Sequence, residues 1–180
     1  MKKLKNSELN RISIEEFKNS SKTPIKVLLD NIRSAHNVGS IFRSCDAFLI
    51  DEIILCGITA KPPNKEIRKT ALGSTDSVKW SYFGNIKDAI LKLKQEKYQI
   101  ISVEQADKSI ELKNFKIQSK KKYAIIFGNE INGVNQKVID ISDDVVEIPQ
   151  FGTKHSFNVS VCVGLVIWDF FTKIKTNWFH

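Results

Sequence analysis

Apolar positions along the chain fall into two alternating patterns. Short β-rich runs at 25–29, 53–55, 78–83, 98–103, 123–127 and 145–148 predict strands. Between several of them the apolar spacing turns helical. Ile41, Phe42, Cys45 and Phe48 predict a helix over 39–48, and Ile86, Ala89, Ile90 and Leu93 predict one over 86–97; a shorter one fits 136–141. Residues 158–174 are apolar almost all round and predict a helix packed on two sides. Ser13 and Glu16 have capping-box spacing, so a short helix is expected over 14–19, ended by Ser20, Ser21 and Pro24. Strands alternating with helices at this density imply an α/β fold: a mainly parallel sheet with helices on both faces. No repeat and no Pro- or Gly-rich linker divides the body. The expected organisation is a basic extension over 1–23 and one domain over 24–180.

Charge narrows the partners. The 180 residues hold 28 Lys and Arg against 20 Asp and Glu, a net charge of +8, which favours a polyanion. Seven of those basic residues, against three Glu, lie in the first 26 positions. A membrane is disfavoured as the polyanion, because the longest apolar run, 159–168, is ten residues, interrupted by Ser160, where a spanning helix needs about 18. The basic opening is followed by no apolar stretch, so a cytoplasmic protein is expected. Cys45, Cys56 and Cys162 are odd in number and widely spaced, which speaks against disulfides and structural zinc and for small buried hydrophobes. The three His lack ligand spacing, so no metal is expected.

In a parallel sheet, chemistry belongs in the loops after the strands. The first such loop leads through Asn37, Gly39 and Ser40, which suit a tight turn capped into a helix whose N-terminus could hold a phosphate, with Arg43 about one turn inside. A guanidinium fork suits phosphate, although a surface arginine on an amphipathic helix reads the same way. The second, residues 128–135, has two glycines but lacks the Lys-Ser/Thr of a Walker loop, and Glu130 stands between them with no local structural duty. The third, residues 148–160, places Ser156, Asn158 and Ser160 at a helix start, where capping accounts for one of them but hardly all three. His155 beside Ser156 does not make a hydrolase, since no G-x-S-x-G elbow surrounds that serine.

Together the three loops resemble the SpoU (TrmH) family of SPOUT RNA methyltransferases. The first motif is matched by Asn37-Val-Gly-Ser-Ile-Phe-Arg43 and the second by Phe127-Gly-Asn-Glu130-Ile-Asn-Gly133-Val. The third is matched by Ile148-Pro through Ser156-Phe-Asn158-Val-Ser160. The likeness covers about residues 24–172, and Phe157 departs from the family's usual leucine. It implies methyl transfer from S-adenosylmethionine to a ribose 2′-hydroxyl of tRNA or rRNA, a C-terminal trefoil knot and a homodimer. By the same likeness Gly128, Ile148 and Phe157, joined by Val103 at a strand end, line the cofactor pocket. Arg43 engages an RNA phosphate, Glu130 positions Arg43 or the RNA, and Asn37, Ser156 and Asn158 complete the catalytic site. The proton acceptor stays open between arginine, a phosphate oxygen and solvent. Alternatives are a non-catalytic RNA-binding dimer of the same fold, or base methylation on it. Basic contacts to RNA are expected from the N-terminal segment, from Lys61, Lys65, Arg68 and Lys69, and from Lys120-Lys121-Lys122. Trp168, Phe170, Phe171, Trp178 and Phe179 are the expected dimer surface.

Overall fold

The computed structural model describes residues 1–118 and 120–176. Within them lie seven strands: β1 (Thr23–Asp30), β2 (Ile50–Cys56), β3 (Trp80–Phe83), β4 (Tyr98–Val103), β5 (Ile110–Glu111), β6 (Lys122–Phe127) and β7 (Asp144–Glu147). They form one sheet in the order β3-β2-β1-β6-β4-β7-β5, with every pairing parallel. The helices are α1 (Ile14–Asn19), α2 (Ala35–Ala47), α3 (Lys65–Ala71), α4 (Ser74–Ser77), α5 (Ile86–Gln95), α6 (Gln136–Ile139) and α7 (Val159–Thr176).

Two apolar layers sandwich the sheet, as a doubly covered parallel sheet requires. Val27, Leu29, Ile53, Leu55 and Ile125 point to one face and meet α2, α3 and α7. The alternate residues Leu28, Ile54, Ile100, Ala124 and Ile126 point to the other and meet α5 and α6. In α5 the buried residues Ile86, Ala89, Ile90 and Leu93 recur at helical spacing, and each large one contributes about 1.5–3 kcal/mol by leaving water.

Several expectations need correction. β5, α3 and α4 were not visible in the hydrophobic pattern. α3 buries only Ile67 and Ala71 and owes its start to Asn64, whose side chain accepts from the backbone of Glu66 and Ile67. α2 begins four residues earlier than the apolar spacing indicated, capped by Ser34, which accepts from the Asn37 amide. Asn37, Gly39 and Ser40 are therefore helical, and Arg43 lies two turns in. Gly39 serves packing: a Cβ there would lie 2.1 Å from Thr70 Oγ1 and 2.3 Å from the Ile67 carbonyl, so only glycine lets α3 settle on α2. α7 is packed on one side alone. Val163, Val166, Ile167 and Phe170 are buried, while Val161, Leu165 and Trp168 are exposed. Trp178 and Phe179 lie outside the described residues.

The basic N-terminal segment is tied to the body where α1 forms. Ser13 and Glu16 make the reciprocal capping bonds expected of them, and Phe17 enters the core. At the far end of the sheet, β7 lies between β4 and β5, and residues 104–109 connect those two across its end.

Candidate functional site

Beyond the carboxyl ends of the adjacent strands β6, β4 and β7, the loops enclose a cavity of about 470 Å³. That volume suits a small cofactor. The position is where an open α/β sheet places its ligands. Val103, Gly128, Ile148 and Phe157 all line it, as do Glu130 and Ser156.

The loop after β6 is shaped by its own backbone. Asn129 and Gly133 exchange backbone hydrogen bonds of 3.1 and 2.9 Å, and the Asn129 carboxamide oxygen accepts from the amides of Ile131 and Asn132. Gly133 takes φ +63°, a conformation that favours glycine. Gly128 lies so close to the returning strand that a Cβ would stand 2.2 Å from the Gly133 carbonyl carbon. This turn presents Glu130 toward the start of α2.

Glu130 accordingly has a structural duty that its sequence context did not reveal. Its carboxylate accepts from the backbone of Arg33 at 2.9 Å and of Ser34 at 3.1 Å, and from Asn37 Nδ2 at 3.1 Å. Burial pushes this carboxyl up, but the amides of Arg33, Glu130 itself and Ser34, with the Asn37 side chain, outweigh it and hold it below the usual range. The N-terminus of α2, expected to suit a phosphate, thus holds a carboxylate of the protein instead.

The bridge continues into the third loop. Asn158 Nδ2 donates to Asn37 Oδ1 at 3.1 Å, while its own Oδ1 accepts from the amide and hydroxyl of Ser160 at 2.9 and 2.7 Å, capping α7. Glu130 of the second loop, Asn37 of the first turn of α2 and Asn158 of the third loop therefore form a single hydrogen-bonded chain. Ser156 stands on the cavity wall, outside that chain. Arg43 is exposed on α2, contributes nothing to the cavity lining, and is not held by Glu130.

Sequence reasoning missed Glu104, although it follows β4 as the other candidates follow their strands. Its carboxylate accepts from the amides of Val134 at 2.8 Å and Gln105 at 2.9 Å, pinning the second loop to β4. With Glu130 and Glu147 it brings three carboxylates to a cavity inside a protein of net charge +8. The cavity therefore suits a cationic ligand with an apolar portion against Val103, Ile148 and Phe157. Cys162 also lines it, half-buried where a fully buried residue was expected. Burial and the Glu104 charge push its thiol up to about 11, so it is a neutral part of the wall.

A doubly covered parallel sheet whose strand-end loops close round an acidic, partly apolar pocket defines an α/β domain with a small-ligand site beyond its strand ends. The chain matches the SpoU rRNA Methylase family over residues 24–168 and belongs to it. It is similar to a tRNA (guanosine(18)-2′-O)-methyltransferase of Borreliella burgdorferi, with 28% identity over 164 residues, 91% of this chain and 73% of the relative. It is also similar to the 23S rRNA (guanosine-2′-O-)-methyltransferase RlmB of Neisseria meningitidis, with 30% identity over 159 residues, 88% of this chain and 62% of the relative. In fold it resembles the crystal structure of an AdoMet-bound rRNA methyltransferase from Sinorhizobium meliloti, with TM-score 0.77, 24% identity, and coverage of 86% of this chain and 59% of that one. The chain thus spans between 59% and 73% of the length of these three proteins.

Proposed function

We propose that the protein is an S-adenosylmethionine-dependent RNA methyltransferase that modifies a ribose 2′-hydroxyl in tRNA or rRNA. The hydrogen-bonded chain Glu130–Asn37–Asn158 carries this reading, because it ties the three motifs together next to the acidic cavity that Glu130 lines. The residues present fit the cofactor: the carboxylates complement its positive charges and the apolar walls its adenine. When bound, S-adenosylmethionine supplies a sulfonium methyl already activated for transfer.

What remains for the protein is alignment, exclusion of water and removal of a proton. Gly128 and Phe157 shape the pocket and Ser156 stands at its wall. The Asn37–Asn158 pair fixes α2 against the third loop, and through α2 it sets the place of Arg43. Arg43, whose guanidinium offers donors only, grips the phosphate next to the target ribose. Arg43, so placed, would hold the ribose oxygen in line with the methyl that bound S-adenosylmethionine would supply, its thioether being the leaving group, and a phosphate oxygen or water would take the hydroxyl proton.

The same reading places residues 24–180 in the catalytic domain and gives the basic extension over 1–23 to RNA contact. It places the enzyme in the cytoplasm, in keeping with the absence, among the described residues, of any helix long and apolar enough to cross a membrane. It assigns the outer face of α7, with Leu165 and Trp168, to a second copy of the chain. It also has the segment after β7 threading past residues 104–109 as a trefoil knot.

Transfer of tritiated methyl to RNA from cells lacking the protein, followed by digestion to nucleosides and mass spectrometry, tests the proposal. Label on a ribose is expected, with Arg43→Ala lowering the rate roughly 100-fold at unchanged cofactor affinity. Label on a base would replace this reading, and failure to bind S-adenosylmethionine would overturn it.

A further inference from the structure

The cavity described above is acidic, so it cannot itself grip a polyanion; the positive charge that does so lies beside it. α3 rests on α2 through the glycine contact at Gly39. It is held there by Thr70 Oγ1 donating to the His36 carbonyl at 2.9 Å and by His36 Nε2 against Glu66 at 2.5 Å. α3 therefore lies directly against the first turns of α2, the helix that carries Asn37.

That surface is cationic. Lys65 and Arg68 are exposed and make no ion pair among the described residues, whereas Lys69 is neutralised by Glu66 at 2.8 Å. Beside them opens a second cavity, of about 540 Å³, lined by Arg68, Asn64, Trp80 and Asp76. Trp80 is half-buried, so its indole is anchored in the sheet edge and still reachable. Asn64 uses its carboxamide oxygen to cap α3, which leaves the NH2 as a donor, and Asp76 offers an acceptor. An aromatic ring, a guanidinium and one donor and one acceptor for a base edge are what a splayed-out nucleotide of single-stranded RNA requires. A free anion would be repelled by Asp76.

We infer that α3 and the Trp80 cavity form a second RNA subsite, which takes one unstacked nucleotide near the modified one, its base against Trp80 and its phosphate on Lys65 and Arg68. The inference rests on the reading of the substrate as RNA. It gives the enzyme a place to read an RNA sequence or an unpaired position at a distance from the reacting ribose.

The test uses the full chain with bulk tRNA and rRNA for methyl transfer and a fluorescein-labelled single-stranded RNA 12-mer for binding. Lys65→Glu with Arg68→Glu, both on exposed positions, is expected to raise the KM for RNA at least tenfold. The same pair lowers the salt slope of 12-mer binding by roughly 1, while kcat and S-adenosylmethionine affinity stay within twofold. Trp80→Phe keeps 12-mer affinity within threefold and Trp80→Ala loses it about tenfold, with 4-thiouridine in the 12-mer crosslinking to the segment around Trp80. An unchanged KM in the charge-reversed protein would overturn the subsite. So would inorganic polyphosphate competing as well as the 12-mer, since the cavity would then read charge alone. Wild-type protein that transfers no methyl to any RNA, in contrast, would strike the parent reading.

Discussion

Asn158 donates its side-chain amide to the side-chain oxygen of Asn37 at 3.1 Å, joining residues 121 positions apart. Asn37 passes the contact on to Glu130, so the pair acts as one unit with the carboxylate. A double-mutant cycle of Asn37→Ala and Asn158→Ala should give a coupling energy of about 0.5–3 kcal/mol in urea unfolding. Either single variant should lower kcat/KM for RNA about tenfold or more. Strict additivity in the cycle would show that the two loops are positioned independently.

Gly128→Ala should abolish tight cofactor binding, because the added methyl meets backbone at 2.2–2.3 Å on Gly133 and Val134, which cannot move aside as a side chain could. A loss of at least tenfold in affinity by calorimetry is expected. Gly152→Ala, with open space around the added carbon, is the matched control and should stay within twofold.

Lys26 and Glu52, at the opposite end of the sheet, form a buried ion pair of 2.8 Å. Burial pushes the Glu52 carboxyl up, but hydrogen bonds from Lys26 and Ser81 and the charges of Lys26 and Lys79 hold it below its ordinary value near 4.5. Burial likewise pushes the Lys26 ammonium down, and Glu52 more than reverses that. The depressed carboxyl thus contributes stability that is complete above about pH 4.5 and lost as pH falls through its folded value. Lys26→Met should cost about 3 kcal/mol at pH 7, where it leaves the buried Glu52 carboxylate with the Ser81 hydroxyl and the more distant Lys79 charge as its partners among the described residues. The gap to wild type should narrow toward pH 4 as Glu52 takes up a proton. Urea titrations at several pH values measure it, and a gap that widens on acidification would refute the account.

On the proposed pairing of two copies through the outer face of α7, light scattering should find the wild type dimeric and the Leu165→Glu, Trp168→Glu double variant monomeric. Leu165 is exposed, so its exchange should change the unfolding free energy by no more than about 0.5 kcal/mol, whereas Trp168 packs its ring on Phe48 at 5.5 Å and its exchange should cost about 0.5–1.5 kcal/mol more. A dimer that survives both charges would place the interface elsewhere.

Much of the fold was legible because a doubly covered parallel sheet writes long apolar runs into its strands. The run over 98–103 coincides with β4, and the capping box announced α1. α3 was not legible, since a helix that buries two side chains and is otherwise charged resembles a solvated loop. The candidate pocket residues could be assembled by likeness, but their duties could not. Glu130 looked idle because its partners, the amides of Arg33 and Ser34, lie nearly a hundred positions away. Nothing in a linear pattern marks a carboxylate that occupies a distant helix terminus. Glu104 escaped notice for the same reason: its two hydrogen bonds run to the backbone and leave no trace in residue type.

The cavity's last wall comes from Phe157 and Cys162, close to the final helix, while the core it leans on begins with β1. During synthesis, a nascent polypeptide interrupted before the third loop possesses the floor of the pocket and neither its closure nor the asparagine clasp. The pocket is therefore closed only in a chain translated into α7, which contributes Val159 and Cys162 to its wall.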